Sequence, residues 1–582
     1  MNRGRFDTLA RAFFAQFFVS EQGLSDDEHR KAMCGVMAFL ITPGFLIPFQ
    51  LSGAFELAYL RFPDMVEPLT RLLATIFLTY SIVAVGVVAA LVWDGLSFDR
   101  RDAMVLGPLP VPGPLVVRAK LAAMAVLLVL LATGVNVITA LPFAAVASSH
   151  KTAAAFGRHM AAHMVATTCA VTFIFATLVT VRAFLSLLRA GQAALASLLR
   201  FALISGLLCF TVLTPTALRV TFQRVPGHRP AAHFQLAAIP PWSPTNWFLG
   251  LYEVVRGTAD SGYAHSARIA IWATLLAVAA AVLTTMWGYR RQLQIALASR
   301  ARRREHEPAP ARAAAALARM LAGRSPAARG AAEFFVRTLI RNRPQQTPIA
   351  FNAAIGSALL VTGLLRTHAG IAAFTTPRVA TLSIPLMLAY WVLVGLRTAC
   401  FIPGDVEAGW VVRVGSATGT GALRRAACAA LTALVVVPAT LLAAAVTVPM
   451  GDPIVVARHT VFTLLVVMLM VEILTLTITF VPFTQPYRPG HAKVRALWPA
   501  YAVGALLCTV AAVKIEKWAW TDPDSFRTLL LIVAAAIVAL DLAASRRGRG
   551  WSVHSREELA DDSRDIAVLD IGSVVHGAHV GG

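Results

Sequence analysis

The sequence predicts an all-α polytopic membrane protein of about twelve transmembrane helices, arranged as two parallel six-helix repeats with both termini on the cytoplasmic side. Three observations predict it. The 582 residues are 57% hydrophobic and only 14% charged, and a mean hydropathy of +0.67 is too apolar for a soluble chain of this length. Apolar runs of about 20 residues, each able to cross ~30 Å of hydrocarbon as a helix, recur along the chain. An arginine-rich stretch divides those runs into two sets of six.

In chain order, the first element is not a cleavable signal. About 32 residues precede the first apolar run, they contain Asp26, Asp27 and Glu28, and no short signal-like core opens them. Instead Phe6, Leu9, Ala10, Phe13 and Phe17 recur at helical spacing, with Asp7, Arg11 and Gln16 elsewhere on the wheel. This pattern predicts an amphipathic helix lying in the inner interface. The apolar runs then fall at residues 33–54, 72–93, 119–147, 160–181, 201–218, 269–288, 349–366, 379–396, 426–448, 460–481, 496–513 and 528–544.

Basic residues orient the chain, because cytoplasmic loops retain Lys and Arg. With the N-terminus inside, 37 of the 52 basic residues are cytoplasmic, and the decisive segment, Arg290 to Arg343, holds thirteen arginines against three acids. The net charge of +22 is therefore assigned to topology and anionic inner-leaflet lipid. Nucleic acid is excluded as a partner, since no binding module accompanies the charge. The domains predicted are a first six-span half over residues 1–298, a basic linker over 299–330, a second half over 331–544 and a flexible cytoplasmic tail over 545–582.

Local echoes support a duplication. RAFFAQFF precedes the first run and AEFFVRTLIRNR the seventh. Asp99 and a basic loop follow the second run; Asp405, Glu407, Arg413, Arg424 and Arg425 follow the eighth. An even number of spans per half makes the repeats run in the same direction. One external loop, residues 219–268, stands apart: Trp242, Trp247, Phe248, Leu251 and Tyr252 within IPPWSPTNWFLGLYEVVRG predict a short interfacial helix behind a proline-stiffened approach. An anchoring belt and a gate are the two readings of that segment.

Enzymatic chemistry finds little support. No Gly-x-x-x-x-Gly-Lys-Ser/Thr occurs, and none of the six lysines follows a glycine, so the chain has no phosphate-binding loop of its own. His-Glu-x-x-His and Gly-x-Ser-x-Gly are missing as well. Cys34, Cys169, Cys209, Cys400, Cys428 and Cys508 all lie in or beside apolar runs without metal-site spacing. His159 and His163, one turn apart, are a weak metal pair and read better as packing histidines; no metal site is predicted. Two intramembrane polar residues stand out. Glu472, within VVMLMVEILTLTITF, is either a proton-coupling group or a hydrogen-bonded interhelical carboxyl. Asn136 reads as interhelical glue, with a substrate ligand as the alternative.

The most informative stretch is FDRRDAMVLGPLPVPGPLVVRAK, Phe98 to Lys120. At about 20 residues between spans it is longer than a tight helix–helix turn. Asp99, Arg100, Arg101 and Asp102 alternate in sign, Met104, Val105, Leu106 and Leu109 offer an apolar ridge, and Pro108, Pro110, Pro112 and Pro114 stiffen the return. A partner-docking loop and a loop resting on lipid headgroups both fit.

Taken with the N-terminal interfacial helix, the six spans and the external interfacial segment, the pattern GPLPVPGPLVVRAK resembles the ABC-2 type permeases. The resemblance is closer in the first half; in the second, GSATGTGALRR replaces the Leu-Pro run. It implies the membrane subunit of an ABC transporter, usually an exporter, in the inner membrane, with two six-span halves fused in one chain. It also implies that Asp99, Arg100, Arg101, Asp102, Leu106 and Leu109, with Asp405 and Glu407 as a weaker counterpart, contact a separate ATPase subunit. That partner binds the ATP; no cofactor is expected in this chain. The alternative is a proton-coupled secondary transporter of the major facilitator type, whose loop signature Gly95, Asp99 and Arg100 mimic until Asp102 stands where glycine belongs. The transported substrate is unnamed by spans made mostly of Ala, Val, Leu and Thr.

Overall fold

The computed structural model describes residues 2–17, 26–98, 100–106, 108–148, 152–187, 193–214, 218–223, 231–236, 239–257, 260–302, 309–366, 374–402, 420–478, 480–483 and 494–546. These form an all-α membrane-type frame in two compact units, residues 1–306 with 357–362 and residues 307–356 with 363–582. Ten helices among the described residues are long and apolar enough to cross a membrane.

The first unit contains α1 (Asn2–Gln16), α2 (Asp26–Arg61), α3 (Pro63–Leu91), α4 (Arg100–Leu106), α5 (Gly113–Ala147), α6 (Ala153–Leu187), α7 (Ala193–Leu213), α8 (Pro244–Arg256) and α9 (Ser261–Arg302). At its centre is α3, free of charged residues from Leu72 to Leu91 and buried along nearly that whole length. A helix without a polar face is stable only when surrounded, and α2, α6, α7 and α8 all pack against it. Three hydroxyls of α3 are satisfied within the helix itself. Thr70, Thr75 and Ser81 each donate to the carbonyl four residues back, the bond that remains where water is excluded.

One feature differs from the sequence reading. The loop after α7 contains an antiparallel hairpin, β1 (Leu218–Gln223) with β2 (Ala231–Leu236), paired from Leu218↔Leu236 to Gln223↔Ala231. The alternation in LRVTFQ is the strand signal for it. The helix expected in residues 219–268 is α8. Its first residue is Pro244, with phi already set for a helix, and Gly257 at φ 101° ends it in the left-handed conformation.

In the second unit, α10 (Ala309–Leu321) and α11 (Pro326–Arg341) precede α12 (Arg343–Arg366) and α13 (Val379–Cys400). Ser325 caps α11 by accepting from the Ala328 N–H. Next come α14 (Thr420–Leu431) and α15 (Val437–Thr447), joined by a π turn at Thr432–Val436. Asp452 then caps α16 (Pro453–Thr477) by accepting from the Ile454 N–H at 2.8 Å. A second π turn, Leu506–Ala511, joins α17 (Val494–Ala505) to α18 (Ala512–Ala519), and α19 (Pro523–Arg546) closes the unit. Most of the core lies along α13, α14, α15 and α16. Upstream of the second π turn, Gly504 meets the Tyr390 hydroxyl, which donates to the Tyr501 carbonyl at 2.8 Å. A Cβ at residue 504 would occupy the hydroxyl's place.

Candidate partner-docking site

The loop that follows α3 is held by a buried charge. Lys120 lies two turns inside α5 with its side chain fully buried. Its ammonium donates to Gln16 Oε1 at 2.9 Å and faces Asp102 Oδ2 at 3.6 Å. The Gln16 amide closes the triangle by donating to Asp102 Oδ1 at 3.2 Å. The rings of Phe13, Phe98 and Phe17 surround the ammonium at 4.6, 5.5 and 5.9 Å from their centroids. A buried cation is tolerable only with such compensation: a carboxylate, a carbonyl oxygen and aromatic faces.

This arrangement fixes four separate elements. Gln16 and Phe13 belong to α1, Asp102 to α4, Lys120 to α5, and Phe98 packs edge-on against Tyr289 of α9 at 4.8 Å. Backbone close to these rings must be bare: a Cβ on Gly95 would stand 2.9 Å from the Phe17 ring, and one on Gly113 3.1 Å from Tyr289. Asp94, in the turn before Phe98, faces Arg182 and Arg200, each at 3.5 Å. Those arginines also hold the end of α3 by donating to the carbonyls of Trp93 and Leu91.

With its inner side anchored, the loop presents the opposite side outward. Met104, Val105 and Leu109 are 50%, 62% and 47% exposed, and Pro108 and Pro110 are exposed beside them. The residues proposed for docking therefore divide. Leu109 lies on the outward ridge, Leu106 is half-buried against the core, and Asp102 turns inward to Lys120. Arg100 and Arg101 lie on α4, with side chains outside the described residues, as are Asp99, Asp405 and Glu407.

Gln16, Phe13 and Lys120 are the residues of this arrangement that sequence reasoning left unconnected. A lysine just inside an apolar run was the available signal, since such a charge demands a partner.

The two intramembrane polar residues singled out in the sequence, Asn136 and Glu472, are both engaged. Asn136 on α5 donates to Thr168 Oγ1 at 2.8 Å and accepts from Thr167, so it ties α5 to α6. His163 is stacked on Phe143 at 4.4 Å and lies 3.3 Å from Thr139 Oγ1. Glu472 lies in the last two turns of α16, where Oε2 accepts from Arg424 at 2.5 Å; Arg424 also donates to Asp541 at 2.7 Å. At the other end of the first unit, Glu253 is fully buried and accepts from Arg71 at 3.3 Å and Arg256 at 2.6 Å. Arg256 also grips Glu67 through both its terminal nitrogens. Two arginines and two glutamates thus neutralise one another and pin α8 to α3. Among the described residues no cluster of three or more His, Cys, Asp or Glu is placed to hold a metal ion.

Comparison with known proteins returns no matching family model, no matching curated protein and no matching solved structure.

Proposed function

We propose that this chain is the membrane-spanning subunit of an ABC-type export system of the ABC-2 kind, in the inner membrane with its N-terminus inside, driven by a separate ATPase subunit. The α4 platform carries the reading. A seven-residue helix with an exposed apolar edge has no reason of its own to be fixed by a buried lysine and by Gln16 of α1, behind a turn that two arginines hold in place. A surface that must transmit a partner's movement into α3 and α5 does. Rigid attachment at Lys120 makes displacement of α4 a displacement of α5, and Asp94 with Arg182 and Arg200 links the same loop to α6 and α7. The absence of a phosphate-binding loop from the sequence fits an energy source on another chain.

The test is retention of the ATPase. The full chain, extracted in mild detergent, is expected to bring down an ATP-hydrolysing subunit. Met104→Glu with Val105→Glu is expected to release it while leaving the melting temperature unchanged, because both side chains are exposed. Charge reversal at Arg100 and Arg101 is expected to act in the same direction. Transport by the purified chain alone on a proton gradient would refute the reading.

A further inference from the structure

Each unit contains a buried histidine at the same place. In the first unit α6 is the fourth long apolar helix, and its seventh residue is His159; in the second the fourth is α16, and its seventh residue is His459. Both are buried. Both use Nδ1 to meet a side chain from the helical segment that precedes the unit's last long helix. For His159 the partner is Tyr252 of α8, with Nδ1 2.7 Å from the phenol oxygen. For His459 it is Glu516 of α18, with Nδ1 3.0 and 3.1 Å from the two carboxylate oxygens. One turn further along come His163 and Thr463 respectively, and Thr463 Oγ1 lies 3.5 Å from His459 Nε2.

The positions match, but the partners differ in charge. Burial pushes the Tyr252 phenol far above its ordinary range, so it remains neutral. The charges behind it, Glu67, Arg71, Glu253 and Arg256, cancel. The second pair is a carboxylate and an imidazole with no solvent exposure on either side chain. Among the described residues, the charged groups on the elements packed here have other engagements or are exposed. On α16, Asp452 caps its helix and Arg458 donates to the Trp520 carbonyl. On α18, Lys517 donates to the Pro377 carbonyl, while Lys514 is exposed. Arg378, before α13, donates to Thr376. Asp522 accepts from Ser525 and Asp524 pairs with Arg527 at the start of α19.

We propose that His459 and Glu516 form a proton-dependent clamp between α16 and α18, held shut by one shared proton, whereas in the first unit the corresponding histidine meets a neutral phenol in place of a carboxylate. With one proton between them the two groups are neutral overall. Its loss leaves a buried carboxylate facing a neutral ring, and a single charge so far from water forces its segment to open. The sign follows: the closed state holds one proton more than the state that opens, so closure weakens as pH rises past the loss of that proton. This proposal is independent of the transport reading.

Hydrogen exchange measured by mass spectrometry on the full chain in nanodiscs tests it. Peptides covering α18 are compared with peptides covering α8 in the same molecule, which removes the intrinsic pH dependence of exchange. Protection of α18 relative to α8 is expected to fall about tenfold per pH unit once the proton is released, as linkage to a single proton requires. In Glu516→Gln the ratio is expected to be flat. A flat ratio in the wild type, or an equal fall in the variant, overturns the proposal. If the variant is not recovered folded, the wild-type ratio decides alone.

Discussion

Replacing Lys120 by Met isolates the work of the buried ammonium. Methionine is similar in length and apolar, so the site stays filled, yet Asp102, a carboxylate with 8% exposure, loses the Lys120 ammonium. Removing one partner of a buried pair costs roughly 3–5 kcal/mol; the lost contacts to Gln16 and Phe13 are part of that figure. At about 1.4 kcal/mol per factor of ten, opening of α4 from α1 and α5 becomes about a hundredfold more frequent or more. The assay uses Ala103→Cys, a site 2% exposed in the closed state. Maleimide modification at residue 103 is counted by mass spectrometry and, when opening is fast relative to labelling, tracks the population of the open form. Lys120→Met is expected to accelerate it about a hundredfold. Adding Asp102→Asn, which keeps a partner for Gln16 but removes the charge that Lys120 balanced, is expected to return the rate to within about tenfold of the parent. An unchanged rate in the single variant, or no recovery in the double, would refute the argument that charge compensation fixes the loop.

Two further substitutions probe packing and pairing by melting temperature. Arg424→Gln leaves Glu472 and Asp541 facing each other without their shared cation and is expected to cost about 3–5 kcal/mol; Glu472→Gln leaves the Arg424–Asp541 pair in place and is expected to cost about 1–2, so the arginine variant melts at the lower temperature. Gly250→Ala would put a Cβ 2.8 Å from the Tyr263 carbonyl where α8 crosses α9 and is expected to cost about 1–3 kcal/mol, whereas Gly206→Ala, with nothing within 4 Å, is expected to leave melting unchanged.

Hydrophobic runs made the helical membrane frame readable, because length and composition alone decide whether a helix can cross ~30 Å of hydrocarbon. Sign alternation in Asp99 to Asp102 did not reveal which way each charge faces. Asp102 turns inward because Lys120 and Gln16 await it, 18 and 86 residues away in the chain, and separations of that size carry no local pattern. The same holds for Glu472, whose cation lies 48 residues upstream. By contrast, Glu67 with Arg71 and Glu253 with Arg256 are each spaced as helical neighbours. What remained hidden was that the two pairs meet. His159 and His163 were visible as a one-turn pair, but Tyr252, the partner of His159, arrives from a helix beyond the hairpin that the loop was not expected to hold.

The π turn at Leu506–Ala511 has a consequence for how the helix around it is read. A π turn takes up one residue more than an α turn, and one residue is about 100° of rotation about the axis. The helix from Val494 to Ala519 is therefore two segments with a phase slip between them, and a single helical wheel drawn through it assigns one of them to the wrong face. Gly504 on Tyr390 and Glu516 on His459 are the two fixed points on either side. The slip lets both contacts exist on one continuous helix, so the surplus residue is a spacer in angle rather than in length: loss of one residue inside the turn conserves both alignments, while loss of one on either side of it swings a contact out of reach.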